Sequence, residues 1–417
     1  MKPLEHLKVI DLTTVISGPY TASLLADLGA QVIKVEPPGG EAARAFASED
    51  SPFTLGGMSP HILTLQRNKK GVVIDLRNPE GKGVFNDLVR WADVVVENYR
   101  PGVTERLGID YPCLKVLNKG VIMCSITGYG LTGPARDRAA LDACIQAYSG
   151  VMSITGEADG EPMRAGPIYG DLCSGMAGAM GVLAALAARE RTGEGQHVDI
   201  SMLDVQISML SYTASMHLMT GLPAERAGNE HTLHVPYNSY PTADGYLFMA
   251  VVIPSHWPVF VKAIQNAGLP PELDATVAWL SDPRLGNRDV RLKERAAVNE
   301  AMAAVLKART RAEWMADFGR VGLAFAPVNT VSEALADPQV AARHMVVGTT
   351  HPNGTPYRIP GNPIKLSGFG ANEETFTSPP ELGQHTAEVL AGVLGYDGAS
   401  INALLASGAV AGPETRA

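Results

Sequence analysis

The amino-acid sequence predicts an α/β fold built on a mainly parallel, doubly wound sheet. Up to about residue 130, short aliphatic runs alternate with helix-like segments. The 43 Gly and 29 Pro follow no period, which is typical of many short connections between elements. Parallel strands joined by helices bind ligands beyond their carboxyl ends, so we look for the functional site there.

The first elements form a βαβ unit. Residues 7–12 predict a buried strand, 19–28 a helix with Pro in its first turn, and 31–36 a second strand. The same rhythm then predicts strands over 71–76, 93–97 and 121–125 and helices over 79–91 and 111–117.

A long helix is predicted over 171–189, followed by a strand over 197–200 and a helix over 202–220. The first of these contains Gly175, Gly178 and Gly181. Glycine inside a helix costs about 1 kcal/mol relative to alanine. We therefore expect a neighbouring backbone to approach this helix closely.

The remaining sequence predicts a second, smaller domain. A polar linker at 223–229 precedes a strand over 246–252, and amphipathic patterns follow near 257–267 and 299–306. A last helix is expected near 383–394. The predicted domains are 1–224 for the first part of the large domain, 225–325 for the small domain, and 326–417 for the return to the large domain.

Composition excludes several classes of protein. The net charge of −9 excludes a generally basic nucleic-acid binder, and 46% hydrophobic residues exclude intrinsic disorder. The four Cys form no CxxC pair and no secretory leader is recognisable, so we expect a cytoplasmic protein. The longest apolar run, 176–188, is shorter than the roughly 20 residues that span a bilayer, so we expect no membrane span.

Common cofactor and hydrolase motifs are absent from the sequence. The turn after the first predicted strand has one glycine, Gly18, followed by Pro19, which does not form the GxGxxG cradle of a dinucleotide site. His231 and His234 lie in a loop without Cys or HExxH context, so polar loop histidines are favoured over a metal site. No Ser lies in a GxSxG elbow.

Asp171 is the most informative residue. An Asp at the start of a helix most often caps it by accepting hydrogen bonds from free N–H groups. A carboxylate between Gly170 and Gly175 is also open to attack a carbonyl carbon, with backbone donors nearby for the oxyanion. The residues alone leave both interpretations open.

Three arginines form a second candidate group. Arg77, Arg100 and Arg106 follow predicted strand ends in the first domain. If the fold is as predicted, they converge on a phosphate-bearing ligand. Taken singly, each is more often a solvated surface residue.

Several segments together give the chain a family resemblance that covers nearly its whole length. They are 9–13 with 17–19, 28–36, 67–70, 96–102, 126–130, 146–150, 170–171, 236–237 and 243–245. With these segments the chain resembles the class III CoA-transferases, which include formyl-CoA:oxalate and carnitine CoA-transferases. The resemblance implies a Rossmann-like large domain, a smaller central α+β domain and an interlocked homodimer.

The resemblance also implies a mechanism. Asp171 would attack an acyl-CoA thioester to give a mixed anhydride and then an aspartyl-CoA thioester, without a metal or a permanently bound cofactor. The substrates would be an acyl-CoA and a small carboxylic acid. The acyl-CoA would be succinyl-CoA, which is a common donor in the family. The implied CoA contacts are Val15, Ile74, Asp75, Leu76, Arg77, Asn98, Tyr99, Arg100 and Arg106.

Departures from the family pattern set the alternatives. Where the pattern of formyl-CoA:oxalate enzymes has Gln, this chain has Ile16. The run of four glycines in those enzymes is also absent near 228–246. We therefore do not expect oxalate as acceptor. In the similar α-methylacyl-CoA racemases, a His-Asp pair occupies the position of Leu141-Asp142, and the His acts as a base on the α-carbon. Because Leu141 cannot exchange protons, racemisation is disfavoured. A non-catalytic CoA-binding protein is the third hypothesis, although it would be expected to lack the Asp171 carboxylate. Arg164, Arg226 and His231 are candidates to pair with a distal carboxylate of the substrate.

Overall fold

The computed structural model describes residues 2–48, 51–368 and 375–413. These residues form two units, the larger comprising those of 2–152, 164–222 and 338–413 and the smaller those of 153–163 and 223–337. The strands are β1 (Lys8–Asp11), β2 (Gln31–Glu36), β3 (Lys69–Ile74), β4 (Val94–Glu97), β5 (Ile122–Thr127), β6 (His197–Ser201), β7 (Tyr237–Thr242), β8 (Gly245–Ala250), β9 (Ala324–Pro327), β10 (Val346–Thr350), β11 (Pro356–Pro360) and β12 (Val410–Ala411).

Helices occupy most of the connections between the strands. In the larger unit they are α1 (Ser17–Asp27), α2 (Pro60–Leu65), α3 (Pro79–Trp91), α4 (Val103–Leu107), α5 (Tyr111–Leu117), α6 (Asp142–Tyr148), α7 (Tyr169–Thr192), α8 (Met202–Met209) and α9 (Ser211–Thr220). The smaller unit contains α10 (His256–Gln265), α11 (Asp274–Leu280), α12 (Arg288–Lys293), α13 (Arg295–Lys307), α14 (Arg311–Gly319) and α15 (Val331–Ala336). The larger unit resumes with α16 (Pro338–Ala342), α17 (Thr386–Gly392) and α18 (Gly398–Ala406).

A seven-stranded sheet forms the centre of the larger unit. Its strand order is β12-β3-β2-β1-β4-β5-β6, and every pair is parallel except β12 with β3. The predicted doubly wound parallel sheet is therefore confirmed. β12 was not predicted, because two residues of Val and Ala carry no period.

Both faces of this sheet are covered, which explains the continuous apolar runs of its inner strands. Side chains alternate between the two faces along each strand. Ile10 packs in a buried cluster with Phe85 of α3, whereas Val9 packs in another with Leu25 of α1 and Val182 of α7.

The glycines of α7 mark close contacts, as predicted. A Cβ on Gly175 would lie 2.8 Å from the backbone oxygen of Ser17 on α1. Cβ atoms on Gly178 and Gly181 would lie 2.7 Å from Thr21 Oγ1 and 2.6 Å from Val198 Cγ1. A neighbouring backbone therefore approaches at Gly175, and side chains approach at the other two positions.

One helix expected from the sequence is divided in the structure. The helix predicted over 202–220 is two helices, because Ser211 adopts a positive φ of 49°. Among the described residues, α7 alone is long and apolar enough to span a membrane, a property that a search for one uninterrupted apolar run misses. In the structure α7 packs against α1, β5 and β6, as the core helix of an α/β unit does.

The smaller unit has its own core. β7, β8 and β9 form an antiparallel sheet, and Trp257, Phe260, Trp314 and Phe318 are buried among its helices. This unit ends at 337 rather than at 325, since β9 pairs with β8. It also includes residues 153–163.

The guanidinium of Arg226 holds that added segment in place. It donates hydrogen bonds to the backbone oxygens of Ser153, Glu157 and Gly160. Its donors therefore serve the fold of the smaller unit, which leaves Arg226 a weak candidate for binding a substrate carboxylate.

Candidate active site

The fold brings most of the predicted CoA contacts to one edge of the sheet. Residues 74–77 lie at the carboxyl end of β3, and Asn98, Tyr99 and Arg100 follow β4. A cleft of about 290 Å³ opens at this edge. Its lining includes the predicted residues Ile74, Asp75, Leu76, Arg77 and Tyr99, together with Leu12, Val35, Glu36, Pro37 and Leu107.

The predicted contacts Arg100 and Arg106 lie outside this lining. Arg100 and Arg106 are exposed, and in the described part of the chain neither guanidinium is within ion-pair distance of a carboxylate. Arg77 differs, because its Nε lies 3.3 Å from Asp75 Oδ1. The edge therefore offers two uncompensated cations and one that is shared with a neighbouring acid.

Val15 lies in the turn between β1 and α1 in a strained conformation. Its φ is 68°, a left-handed value that is unfavourable for a β-branched residue. Its N–H donates to Glu41 Oε2 at 2.9 Å, while Gln66 Nε2 donates to Glu41 Oε1 at 2.6 Å. Buried hydrogen bonds thus hold this turn in a conformation that the chain would otherwise avoid.

A buried ion network lies beneath the same turn. Lys34 Nζ is 3.6 Å from both Asp11 Oδ1 and Glu41 Oε1, and Lys69 Nζ is 2.8 Å from Asp11 Oδ2. Burial opposes the charged form of Lys34, yet the carboxylates of Asp11 and Glu41 raise its pKa above the ordinary value. Paired buried charges of this kind fix the geometry around them.

Asn98 connects the end of β4 to the same turn. Its Oδ1 accepts from the Thr14 N–H at 2.8 Å, and its Nδ2 donates to the Thr14 carbonyl at 2.9 Å and to Ser17 Oγ at 3.4 Å. The Asn98 amide is therefore committed to holding the turn.

Asp171 lies in the first turn of α7 and is half-buried. It is not the N-cap, which is Ile168, so the capping interpretation of Asp171 is wrong. The cap is supplied instead by Asp142 of α6. Asp142 Oδ1 accepts from the N–H groups of Gly170 at 2.6 Å and Asp171 at 3.3 Å.

Because Asp142 occupies those donors, they are not free for an oxyanion, contrary to the expectation from the sequence. The next N–H, from Leu172, donates to the Ile168 carbonyl at 3.0 Å. Asp142 is itself buried and held by Gln146, whose Nε2 donates to Asp142 Oδ2 at 2.7 Å. Sequence reasoning missed this role since Asp142 lies 29 residues before Asp171.

Free donors occur instead at the start of α1. Its N-cap, Ile16, has no side-chain oxygen to offer, and Pro19 has no N–H. In the described part of the chain, the N–H groups of Ser17 and Gly18 have no hydrogen-bond acceptor. The first turn of α1 therefore presents two unpaired donors.

The surroundings of Asp171 change its ionisation. Burial and the nearby charge of Asp142 raise the pKa of Asp171 to about 6, and a hydrogen bond from the Ser17 side chain opposes this rise. At pH 7 about 90% of the carboxyl groups are still ionised. Asp171 is thus a partly desolvated carboxylate beside the start of α1.

The remaining candidates are engaged in local contacts. Arg164 Nη1 donates to the carbonyls of Ala165 and Gly166. His231 Nδ1 accepts from the Leu233 N–H at 3.0 Å, and its ring lies 4.7 Å from that of His234. Among the described residues, no group of three or more His, Cys, Asp or Glu side chains is arranged to hold a metal ion.

Comparison with known proteins assigns the chain to a family. The family model described as CoA-transferase family III matches residues 4–386. The chain belongs to CoA-transferase family III. The resemblance inferred from the motifs is therefore confirmed, and the protein is a CoA-transferase enzyme.

Relatives of this transferase match over nearly full length. It is 35% identical to a succinyl-CoA:glutarate CoA-transferase from Mus musculus, over 100% of this chain and 92% of that protein. It is 37% identical to a succinate–glutarate CoA-transferase from Agrobacterium fabrum, over 93% of this chain and 95% of that protein. The crystal structure of a CaiB/BaiF family protein from Brucella suis matches with a TM-score of 0.80 at 33% identity, covering 94% of this chain and 99% of that chain.

Proposed function

We propose that this transferase moves CoA from succinyl-CoA to a small dicarboxylic acid, with glutarate as the first candidate acceptor, through covalent intermediates on Asp171. The substrates come from relatives in Mus musculus and Agrobacterium fabrum that are named for succinate and glutarate. The observation that carries the mechanism is a desolvated, ionised Asp171 carboxylate beside two unpaired backbone N–H groups.

The reaction divides into two exchanges. An Asp171 oxygen attacks the thioester carbonyl carbon, the C–S bond breaks, and CoA thiolate leaves a mixed anhydride. The thiolate then attacks the Asp171 carbonyl carbon, expelling succinate and leaving an aspartyl-CoA thioester. The acceptor carboxylate attacks that thioester, and the released thiolate takes the acceptor acyl group from the new anhydride. Asp171 is regenerated with no net proton change.

Each tetrahedral step places negative charge on a carbonyl oxygen. The N–H groups of Ser17 and Gly18 are suited to this oxygen, because they are unpaired and point from the positive end of α1. Burial also raises the nucleophilicity of Asp171, since a carboxylate with fewer hydrogen bonds to water is more basic.

The edge of the sheet supplies the chemistry that CoA requires. Leu12, Val35, Ile74 and Leu76 give the cleft apolar walls suited to a base, and Arg77, Arg100 and Arg106 are suited to phosphates. Val15 and Asn98 would act on CoA through the backbone of the turn between β1 and α1. The Asn98 amide is not free to bind CoA itself, because it is already bonded to Thr14 and Ser17.

A homodimer is part of this proposal. Exposed apolar side chains on α7 and α9 include Met180, Tyr212, Leu218 and Met219, the last two more than 80% exposed. Exposure of such large apolar side chains is unfavourable in water, and they are suited to burial against a second copy of the chain. The cysteines are unpaired in the structure, which supports a location of the protein in the reducing cytoplasm. In this proposal the apolar face of α7 packs against the second copy rather than against a membrane.

The test is a transfer assay with mass spectrometry of the thioesters. The protein is incubated with succinyl-CoA and a panel of mono- and dicarboxylic acids, with Asp171→Ala as the control. We expect glutaryl-CoA from the wild type and none from the variant. Failure of every acid to acquire CoA would sink the proposal.

The racemase alternative is disfavoured by Leu141. Its side chain is 73% exposed at the start of α6 and offers no proton-exchanging group, while Asp142 is engaged with α7. Deuterium incorporation at the α-carbon of a 2-methylacyl-CoA, without any acceptor acid, would favour the racemase. CoA binding without either reaction would favour the non-catalytic alternative.

A further inference from the structure

Helices α1 and α7 meet through their backbones beside Asp171. Gly175 lies one helical turn after Asp171 and therefore on the same face of α7. A Cβ there would lie 2.8 Å from the Ser17 carbonyl oxygen, and Thr21 Oγ1 donates to the Gly175 carbonyl at 2.9 Å. This contact brings the first turn of α1, and with it the Ser17 side chain, to Asp171.

The Ser17 hydroxyl is oriented from its other side. Asn98 Nδ2 donates to Ser17 Oγ at 3.4 Å, so the hydroxyl hydrogen is left to donate elsewhere. Asn98 is in turn fixed by its two hydrogen bonds to Thr14. Ser17 is buried, so its hydroxyl is largely shielded from bulk solvent.

The backbone before Ser17 is fixed as well. Glu41 accepts the Val15 N–H at 2.9 Å, and Lys34 Nζ donates to the Thr13 carbonyl. Gly18 is packed against the Thr13 side chain, which leaves no space for a Cβ. Ser17 is therefore presented by a rigid turn rather than by a mobile loop.

We propose that Ser17 is a positioning residue for the nucleophile: its hydroxyl, oriented by Asn98, donates a hydrogen bond to one Asp171 oxygen and leaves the other oxygen to attack. This inference rests on the proposed function, in which Asp171 is the nucleophile. The bond also favours the ionised carboxylate and so lowers the pKa of Asp171, against the opposing effects of burial and Asp142.

The experiment compares Ser17→Ala with Ser17→Thr, which keeps a hydroxyl. Both variants retain the backbone N–H of residue 17. The readout is the acidic limb of kcat/KM for succinyl-CoA against pH, which reports the ionisation of the free enzyme. We expect the limb of Ser17→Ala to move to higher pH by roughly half a unit or more, and that of Ser17→Thr to stay near the wild type.

Ser23→Ala is the matched control. Ser23 is a buried serine of the same helix whose hydroxyl lies within hydrogen-bond distance of the Pro19 and Leu65 carbonyls. Its loss is expected to lower the melting temperature without moving the acidic limb. The proposal is overturned if the limb of Ser17→Ala does not move while the wild type is active, or if Ser17→Thr behaves as Ser17→Ala. Absence of transfer by the wild type, or full transfer by Asp171→Ala, would instead count against the proposed function.

Discussion

Replacing Asp142 with Asn tests how the site controls its nucleophile. Burial and the Asp142 charge together raise the pKa of Asp171 from an ordinary 3.8 to about 6. Asp142→Asn removes the charge and leaves burial, the larger cause, in place. We therefore expect the pKa of Asp171 to fall by roughly one unit rather than to return to its ordinary value.

The effect on rate follows from the ionised fraction. With a pKa of about 6 the wild type is about 10% ionised at pH 5, whereas a pKa of about 5 would leave the variant about half ionised. The ratio of kcat/KM at pH 5 to that at pH 7 should rise from about 0.1 to about 0.5. An acidic limb that stays in place or moves to higher pH would show that the Asp142 charge does not raise the pKa of Asp171. Since both proteins receive the same substrate, ionisation of succinyl-CoA cancels in the comparison.

The same substitution should destabilise the fold. The Asn oxygen is needed by the N–H groups of Gly170 and Asp171, so its amide nitrogen must face Gln146 Nε2, which is also a donor. Gln146 cannot turn its amide over without losing the hydrogen bond that Ala165 N–H donates to its Oε1 at 2.9 Å. We expect a loss of about 1–3 kcal/mol in the free energy of unfolding, measured by denaturant titration. Adding Gln146→Glu restores an acceptor and should recover most of this loss.

Substitutions at Asp171, Gly175 and Arg106 should each have a measurable effect. Asp171→Asn should raise the melting temperature at pH 8, because the ionised carboxylate destabilises the fold increasingly as the pH rises from 3.8 to about 6 and fully above that. The gain should shrink as the pH falls from 7 to 5, and a gain independent of pH would contradict this. Gly175→Ala should lower the free energy of unfolding by about 1–3 kcal/mol and reduce kcat, because the added Cβ would separate α1 from α7. Gly83→Ala, in open space on α3, should be neutral or stabilising in the same denaturation and rate assays. Arg106→Ala should raise KM for succinyl-CoA several-fold, most strongly at low salt. Arg90→Ala, on the exposed face of α3, should leave this KM unchanged, and equal KM values for the two variants would refute a phosphate contact of Arg106.

The sheet was predictable because its signals are local. The strands containing Ile10, Val35 and Val95 are short apolar runs between helical patterns, and parallel topology follows from their connections. β12 was not predictable, since its pairing with β3 joins residues far apart in sequence and its two residues carry no pattern.

The site was predictable only where a motif marks it. Asp171 was recognised from its glycine-flanked position and the family resemblance. The cap of α7, Asp142, comes from another helix, and nothing in the sequence marks it as a cap. The left-handed Val15 was also not predictable, because glycine is the residue expected at a positive φ and the bond of the Val15 N–H to Glu41 joins residues far apart in sequence. Which backbone donors are free depends on these tertiary contacts.

Asp171 is proposed to carry CoA during transfer. Mass spectrometry of the protein after brief incubation with succinyl-CoA, with peptide mapping of any adduct, detects this intermediate. We expect a CoA adduct on the peptide that contains Asp171, lost on addition of glutarate as glutaryl-CoA forms, and absent from Asp171→Ala. An adduct on another residue, or transfer by Asp171→Ala at the wild-type rate, would rule out a CoA carrier at Asp171.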